Sequence, residues 1–292
     1  MSSSPCDKGV ASRIWSTFSD RADLLINLFY PNECLFCGVA SPRGRRIRRV
    51  MAYSPETFIC QSCQKRLLEN RPNFCRRCGR PVGFARENVE CGRCRADCFA
   101  FDCVTPLGLY RGMLRSVVLR MKLDMNPMLA ETMAQLYYID RREFLETFHA
   151  DCVIAVPMHW RRRRQRRGVN SPETLAEELA RLLNVPDLSR LVVRTRHTPP
   201  QTSVGYAERP NNVSDAFRVR IPYWPPSWAQ RVVTPQIASR GSLPLLGLRA
   251  LLVDDAMTTC STCNEVARAL KSSGASAVAV AVLSRAGHDA AR

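Results

Sequence analysis

Between residues 34 and 94 the chain carries four Cys-x-x-Cys pairs: Cys34/Cys37, Cys60/Cys63, Cys75/Cys78 and Cys91/Cys94. Two thiolates at that spacing can meet one ion at about 2.3 Å, and two such knuckles complete a tetrahedral four-cysteine site. Several knuckles continue with the expected turn residue: Cys37-Gly38, Cys78-Gly79 and Cys91-Gly92. The segment holds little apolar core of its own, so metal must supply much of its folding energy. We expect a small zinc ribbon domain over residues 31–100 with two structural Zn2+ ions. Pairing in sequence order makes one site of the first four cysteines and a second of the last four; interleaved pairing also satisfies the spacing. Cys98, Cys103 and Cys152 lack partners at ligand spacing and read as small buried residues.

No secretory signal precedes these cysteines, which argues against a disulfide framework and for a reducing, cytoplasmic setting. No apolar run approaches the roughly 18 residues of a transmembrane helix. Residues 1–30 read as an N-terminal helix whose stripe, Ile14, Trp15, Phe18, Leu24, Leu25, Leu28 and Phe29, packs on its own domain. The formal charge is +17, from 43 Lys and Arg against 26 Asp and Glu. That excess favours polyanionic partners and says nothing of fold. Arg43, Arg45, Arg46, Arg48 and Arg49 lie between the first two knuckles, and Arg76, Arg77 and Arg80 surround the third. They form either a phosphate-backbone contact surface or a solvated basic loop.

From residue 104 to 292 strands and helices alternate. Helices are expected over Gly112–Lys122, Pro127–Phe148, from Ser171 (as cap, with Pro172 at the first turn) to Leu182, and Cys263–Ser272. Strands are expected at Cys152–Val156, Leu191–Val193, Ala250–Val253 and Ala277–Leu283. This order implies an α/β domain with a largely parallel sheet flanked by helices, and with ligands at the carboxyl ends of its strands. Residues 221–247 carry Pro222, Pro225, Pro226, Pro235 and Pro244 and read as an exposed insertion.

The strand at 250 runs into Asp254 and Asp255, then into Thr258, Thr259, Cys260, Ser261 and Thr262, where a helix begins. Hydroxyls and free N–H groups at a helix N-terminus suit phosphate. Two carboxylates can accept from sugar hydroxyls or hold Mg2+ through water. The alternative is an ordinary strand with an Asp-Asp helix cap. The stretch resembles the signature of type I phosphoribosyltransferases, in which two acids precede a Thr-Thr-Gly-x-Thr loop that binds 5-phosphoribosyl 1-pyrophosphate (PRPP). The resemblance implies that Asp254 and Asp255 face the ribose hydroxyls and that Thr258 to Thr262 cradle the 5-phosphate. Cys260 stands where that loop has glycine. A thiol at a helix N-terminus is expected to have a lowered pKa and to repel phosphate. The alternative is a neutral buried thiol in a loop that never needs positive φ.

Further elements narrow the resemblance to the ComF family of competence-associated, phosphoribosyltransferase-like proteins, from Pro31 onward. They are the double Cys-x-x-Cys segment, Leu109-Tyr110-Arg111-Gly112 with Met121-Lys122, and Val156-Pro157 followed by Arg163, Arg167-Gly168 and Asn170. The run Arg194-Thr195-Arg196-His197-Thr198, Gln201, Arg209, Asn211 or Asn212 and Ala216-Phe217 completes them. The resemblance implies a pyrophosphate loop at Pro157, Met158, His159, Trp160 and Arg161. Arg161, Arg162, Arg163, Arg164, Arg166 and Arg167 directly follow that strand end and read as phosphate or nucleic-acid contacts; His159 reads as a loop residue rather than a general base. Two functions remain. One is a PRPP-binding protein, a phosphoribosyltransferase and so a glycosyltransferase if catalytic, with Mg2+ arriving on PRPP, that handles imported DNA in natural transformation. The other is a non-catalytic adaptor that binds single-stranded DNA and competence proteins. The sequence names no acceptor.

Overall fold

The structure, a computed structural model, describes residues 33–39, 58–69, 71–83, 91–123, 127–165, 170–196, 205, 208–220 and 244–286. The expected N-terminal helix, the arginines at 43–49, most of the 221–247 insertion, and His197, Thr198, Gln201, Arg166 and Arg167 lie outside these residues. The chain divides into two compact units, Met1–Lys65 and Arg66–Arg292. The first unit contains the first two knuckles. The second contains the other two and the whole α/β region.

In the second unit, β3 (Cys103–Leu109), β4 (Cys152–Ala155), β7 (Arg249–Met257) and β8 (Ala277–Arg285) form one parallel sheet in the order β3-β8-β7-β4. Its strands are near-continuous apolar runs, as a sheet covered on both faces requires. On one face α8 (Ser261–Ser272) places Cys263, Val266, Ala267 and Leu270 against Ile154, Leu252 and Val280. On the other, α3 (Pro127–Asp140) packs with α6 (Ser171–Leu183), which lies on β4 and β7. Helix α2 (Gly112–Leu123) buries Leu114, Val117, Val118 and Met121, the face its spacing predicts. A short α1 (Gln61–Leu68) and the ribbon strands β1 (Asn73–Phe74) and β2 (Pro81–Gly83), paired antiparallel, precede the sheet.

Several expectations change. The helix read across 127–148 is two, α3 and α4 (Arg142–Phe148). Between them Asp140 takes both prongs of the Arg71 guanidinium at 2.7 Å, and Arg141 donates to the Pro106 carbonyl, so the chain is fastened to β3 and turns. Asn170, not Ser171, stands at the cap of α6; the Ser171 hydroxyl donates instead to the Met121 carbonyl. The strand read at 191–193 is β5 (Val192–Arg194), and it pairs antiparallel with β6 (Phe217–Val219) outside the main sheet. Strand β7 continues through both aspartates to Met257, because its backbone keeps pairing with β8 as far as Arg285. Cys103 and Cys152 are buried as expected, whereas Cys98 is exposed.

Candidate functional site

The eight knuckle cysteines form two clusters, Cys34/Cys37/Cys60/Cys63 and Cys75/Cys78/Cys91/Cys94, with all ligand atoms of each within 4.8 Å of one another. Sequential pairing therefore holds. A tetrahedral zinc with bonds of about 2.3 Å sets its sulfurs about 3.8 Å apart. The separations are 3.7 Å for Cys37–Cys60 and Cys75–Cys94, 3.6 Å for Cys91–Cys94 and 3.5 Å for Cys78–Cys91. Backbone N–H groups support the sulfurs: Cys60 N donates to Cys34 Sγ at 3.4 Å and Cys91 N to Cys75 Sγ at 3.2 Å. Burial opposes ionisation of Cys34 and Cys75, yet these N–H donors outweigh it and bring them to about 6 and about 7. Burial and neighbouring thiols push Cys63, Cys78 and Cys94 up, the last to about 12. Four sulfurs so close ionise together only around a cation, and these two sets fit zinc.

At the carboxyl end of the sheet, β7 delivers Asp254 and Asp255 to opposite faces, since adjacent strand residues alternate. Asp255 is buried and its Oδ1 meets Lys122 Nζ, on the last turn of α2, at 2.8 Å. Burial tends to lower the Lys122 pKa, but the Asp255 carboxylate and then Asp254 more than offset it, and the net shift is upward. Asp254 faces α8. Its Oδ1 accepts from Asp255 N at 2.9 Å, and Cys263 Sγ lies 3.8 Å from its Oδ2. Burial, then the Asp255 charge, pushes the Asp254 carboxyl up to about 7. Lys122 belongs to the Met-Lys element of the resemblance, and only the fold brings it to Asp255.

Past Met257 the chain turns through Thr258 and Thr259 into α8. The Ser261 hydroxyl donates to Thr259 Oγ1 at 2.8 Å, and Asn264 N makes the helix's first bond to the Cys260 carbonyl at 2.8 Å. Cys260 precedes the helix at φ 67°, the left-handed region that favours glycine. The thiol is buried, and burial raises its pKa against a lowering by Arg285. The lowered pKa expected for Cys260 is thus corrected, and the alternative holds for the buried thiol but not for the backbone. The thiol is not acidified, because desolvation outweighs the helix terminus, and the loop does demand positive φ. Thr259, Ser261, Asn264 and Arg268 line a cleft of about 470 Å3 together with Arg80 and Phe99.

Sequence reasoning missed Arg285. Its side chain is almost wholly buried, at 1% exposure, at the end of β8. Nε donates to the Cys78 carbonyl at 3.2 Å. Nη1 donates to the carbonyls of Met257 at 3.1 Å, of Ala286 at 3.2 Å, and of Thr258. Nη2 lies 3.5 Å from Cys260 Sγ. No carboxylate among the described residues pairs with it. An apolar β8 with Arg285 two residues beyond its expected end was the only available signal.

The loop after β4 leads through a buried His159 into α5 (Trp160–Gln165). His159 Nδ1 accepts from Arg161 N at 3.3 Å, which caps the helix and agrees with the loop role read for it. Trp160 is 52% exposed, with the guanidinium carbons of Arg161 and Arg164 5.3 and 5.1 Å from its ring centre. Arg163 instead forks onto Glu173, 3.1 Å from Oε1. Pro157, Met158 and α5 stand at the carboxyl end of β4, the sheet neighbour of β7. The Arg-Thr-Arg run serves structure: Arg194 lies over the Phe217 ring at 5.3 Å, and Arg196 donates to the Ser214 carbonyl at 2.6 Å beside α7 (Arg209–Val213).

Residues 25–95 match the double zinc ribbon domain family. The chain is 28% identical over 231 residues to Competence protein F of Haemophilus influenzae, covering 78% of this chain and 90% of that protein. It is 28% identical over 236 residues to the DNA utilization protein YhgH of Escherichia coli, with the same coverage. It is 29% identical over 230 residues to YhgH of Salmonella typhimurium, again covering 78% and 90%. Among the described residues no helix is long and apolar enough to cross a membrane. The chain is accordingly a homologue of Competence protein F and of the DNA utilization protein YhgH, with a double zinc ribbon N-terminal in sequence to a parallel α/β sheet.

Proposed function

We propose that the chain binds PRPP or a related phosphorylated ribose at the carboxyl end of β7, in the service of competence or DNA utilization. The observation that carries this reading is the unbroken passage from Asp254-Asp255 through the hydroxyl loop into the N-terminus of the twelve-residue α8. The first N–H groups of α8 and the hydroxyls of Thr258 and Thr259, the latter accepting from Ser261, offer donors to a 5-phosphate. Asp255, paired with Lys122 through Oδ1 alone, has acceptor capacity left for ribose hydroxyls. Pro157 to Arg161 would face the pyrophosphate, which brings Mg2+ with it. A transfer reaction would lose pyrophosphate from C1 through an electron-poor centre, and these residues would contribute positioning and charge. Isothermal calorimetry with PRPP and Mg2+ tests the reading. Asp255→Asn should weaken binding by about 1.5–3 kcal/mol, roughly ten- to a hundredfold, without unfolding the protein. No binding by either protein, or equal binding, reduces the acid pair to a structural feature.

The adaptor reading is favoured by one observation, the exposed Trp160 with two guanidiniums close to its ring. An aromatic face in a basic setting stacks single-stranded bases without choosing among them. The two readings are compatible in one molecule, since α5 and the hydroxyl loop follow neighbouring strands.

A further inference from the structure

We infer that Arg285 is a positioning residue for the hydroxyl loop, and that through it the loop's shape depends on closure of the second cysteine cluster. The coupling to a ligand rests on the PRPP reading; the coupling to the loop does not.

One guanidinium joins three pieces of chain. Nε holds the carbonyl of Cys78, itself a member of the second cluster. Nη1 holds the carbonyls of Met257 and Thr258, where β7 gives way to the loop. Nη2 meets the sulfur of Cys260, the left-handed residue on which the loop pivots into α8. The Cys260 thiol in turn lies 3.6 Å from the same Cys78 carbonyl. The knuckle fits closely here. Gly79 has φ +68°, and a Cβ on it would stand 3.1 Å from side-chain carbons of Val104 and Pro106 and 3.3 Å from that of Met257. Any movement of the peptide after Cys78 is therefore passed on to β3 and to Met257.

Zinc fixes where the Cys78 carbonyl points. Without the metal the four sulfurs take up protons, nothing ties Cys78 to the other three, and its carbonyl is free to swing away from the Nε of a cation enclosed in protein. Arg285 can then recover its hydrogen bonds only by shifting, and the Met257 and Thr258 carbonyls shift with it. Lysine keeps the charge but cannot reach three separate acceptors with a planar fork. If the ligand occupies the loop, linkage makes the effect reciprocal: ligand must strengthen zinc at the second cluster by the factor by which that zinc strengthens ligand.

The test uses the full-length, zinc-loaded protein. Iodoacetamide labelling of Cys260 is followed by peptide mass spectrometry, beside a zinc count and a denaturation curve. In the wild type Cys260 should resist labelling when two zincs are bound and become at least tenfold more reactive in Cys94→Ser, which loses the second-cluster metal and leaves Cys78 in place. In Arg285→Lys, Cys260 should be reactive even with two zincs bound. If the ribbon merely covers the thiol, Arg285→Lys with full zinc stays protected, and the inference fails. It also fails if Cys94→Ser labels like the wild type. Should Arg285→Lys not fold, Gly79→Ala, which displaces the knuckle, replaces it with the same expected outcome. In a second arm, competition with a chromogenic chelator should show PRPP raising zinc affinity of the wild type at least threefold, and of Arg285→Lys not at all. PRPP binding that leaves zinc affinity unchanged overturns the coupling. Zinc-gated labelling without any PRPP binding overturns the ligand reading and leaves Arg285's role intact.

Discussion

Cys260 and Asp254 each hold a state that the rest of the fold imposes. A non-glycine residue at φ 67° costs roughly 1–2 kcal/mol of backbone strain. Cys260→Gly should relieve that strain while losing the sulfur, whereas Cys260→Ala should lose the sulfur and keep the strain. Glycine should therefore be more stable than alanine here by about 1 kcal/mol, the reverse of the usual order; urea midpoints of the two variants decide it. Asp254 makes stability depend on pH. Its carboxyl titrates near about 3.9 in an unfolded chain but near about 7 in the fold, where burial and Asp255 disfavour the charge. Between those values the folded state retains a proton that the unfolded state has released, so stability falls as pH rises through this window and levels off above it. Asp254→Asn carries no such charge. It should gain on the wild type between pH about 4 and about 7 and hold that gain above, as denaturation at pH 4.5 and pH 8 would show. A constant difference between the two pH values would place the titration elsewhere. The sequence marked both residues as unusual. It could not give the sign of either effect, because Arg285 and α8 meet Cys260, and Asp255 and Cys263 meet Asp254, only in the fold.

Among the elements, α5 carries the clearest division of labour. Arg161 and Arg164 lean on an exposed tryptophan, while Arg163 is engaged with Glu173. For single-stranded DNA, Arg161→Ala and Arg164→Ala should each lower the log–log salt slope by about 0.7, and Arg163→Ala by less. Trp160→Ala should weaken binding by about 1–3 kcal/mol without changing the slope, since stacking releases no counterions. Equal slopes in all the arginine variants would move the contact surface away from α5. The charge run was legible as a run, but its sorting into paired and unpaired members depends on Glu173, which belongs to the next helix. The same contrast separates β7 from its helix. Apolar periodicity located β7, β8, α2 and α8, because local burial governs them. It stopped β7 too early, because charged residues resemble a strand end, and only pairing with Val282, Ser284 and Arg285 shows that the ladder continues.

At the scale of the molecule the cysteine spacing was the most readable feature, since ligand geometry is local and leaves few solutions. Native protein should contain two zinc ions per chain. Strong chelators should abolish structure at the ribbon and release both ions with uptake of protons, because free thiols at these separations cannot all stay ionised. Elemental analysis and proton release measure this, and carefully reduced protein without metal would contradict it. The parallel α/β class was equally legible from strand and helix alternation. The attachment of ribbon to sheet was not, because contacts such as Arg285 with Cys78 join residues far apart in sequence. One such attachment is at the outer side of β3. There Val104 N donates to the Arg76 carbonyl at 2.8 Å, Tyr137 takes the carbonyl of Thr105, and Arg141 and Arg71 take those of Pro106 and Leu107. Pro106 itself has no N–H to offer, as suits a margin strand. A truncation beginning at Cys103 would strip the Arg76 and Arg71 contacts and bare a row of hydrogen-bonding groups that invites self-association. The α/β region of this protein is thus not a transplantable module, because the margin of its sheet is closed by the segment that carries Arg71 and Arg76.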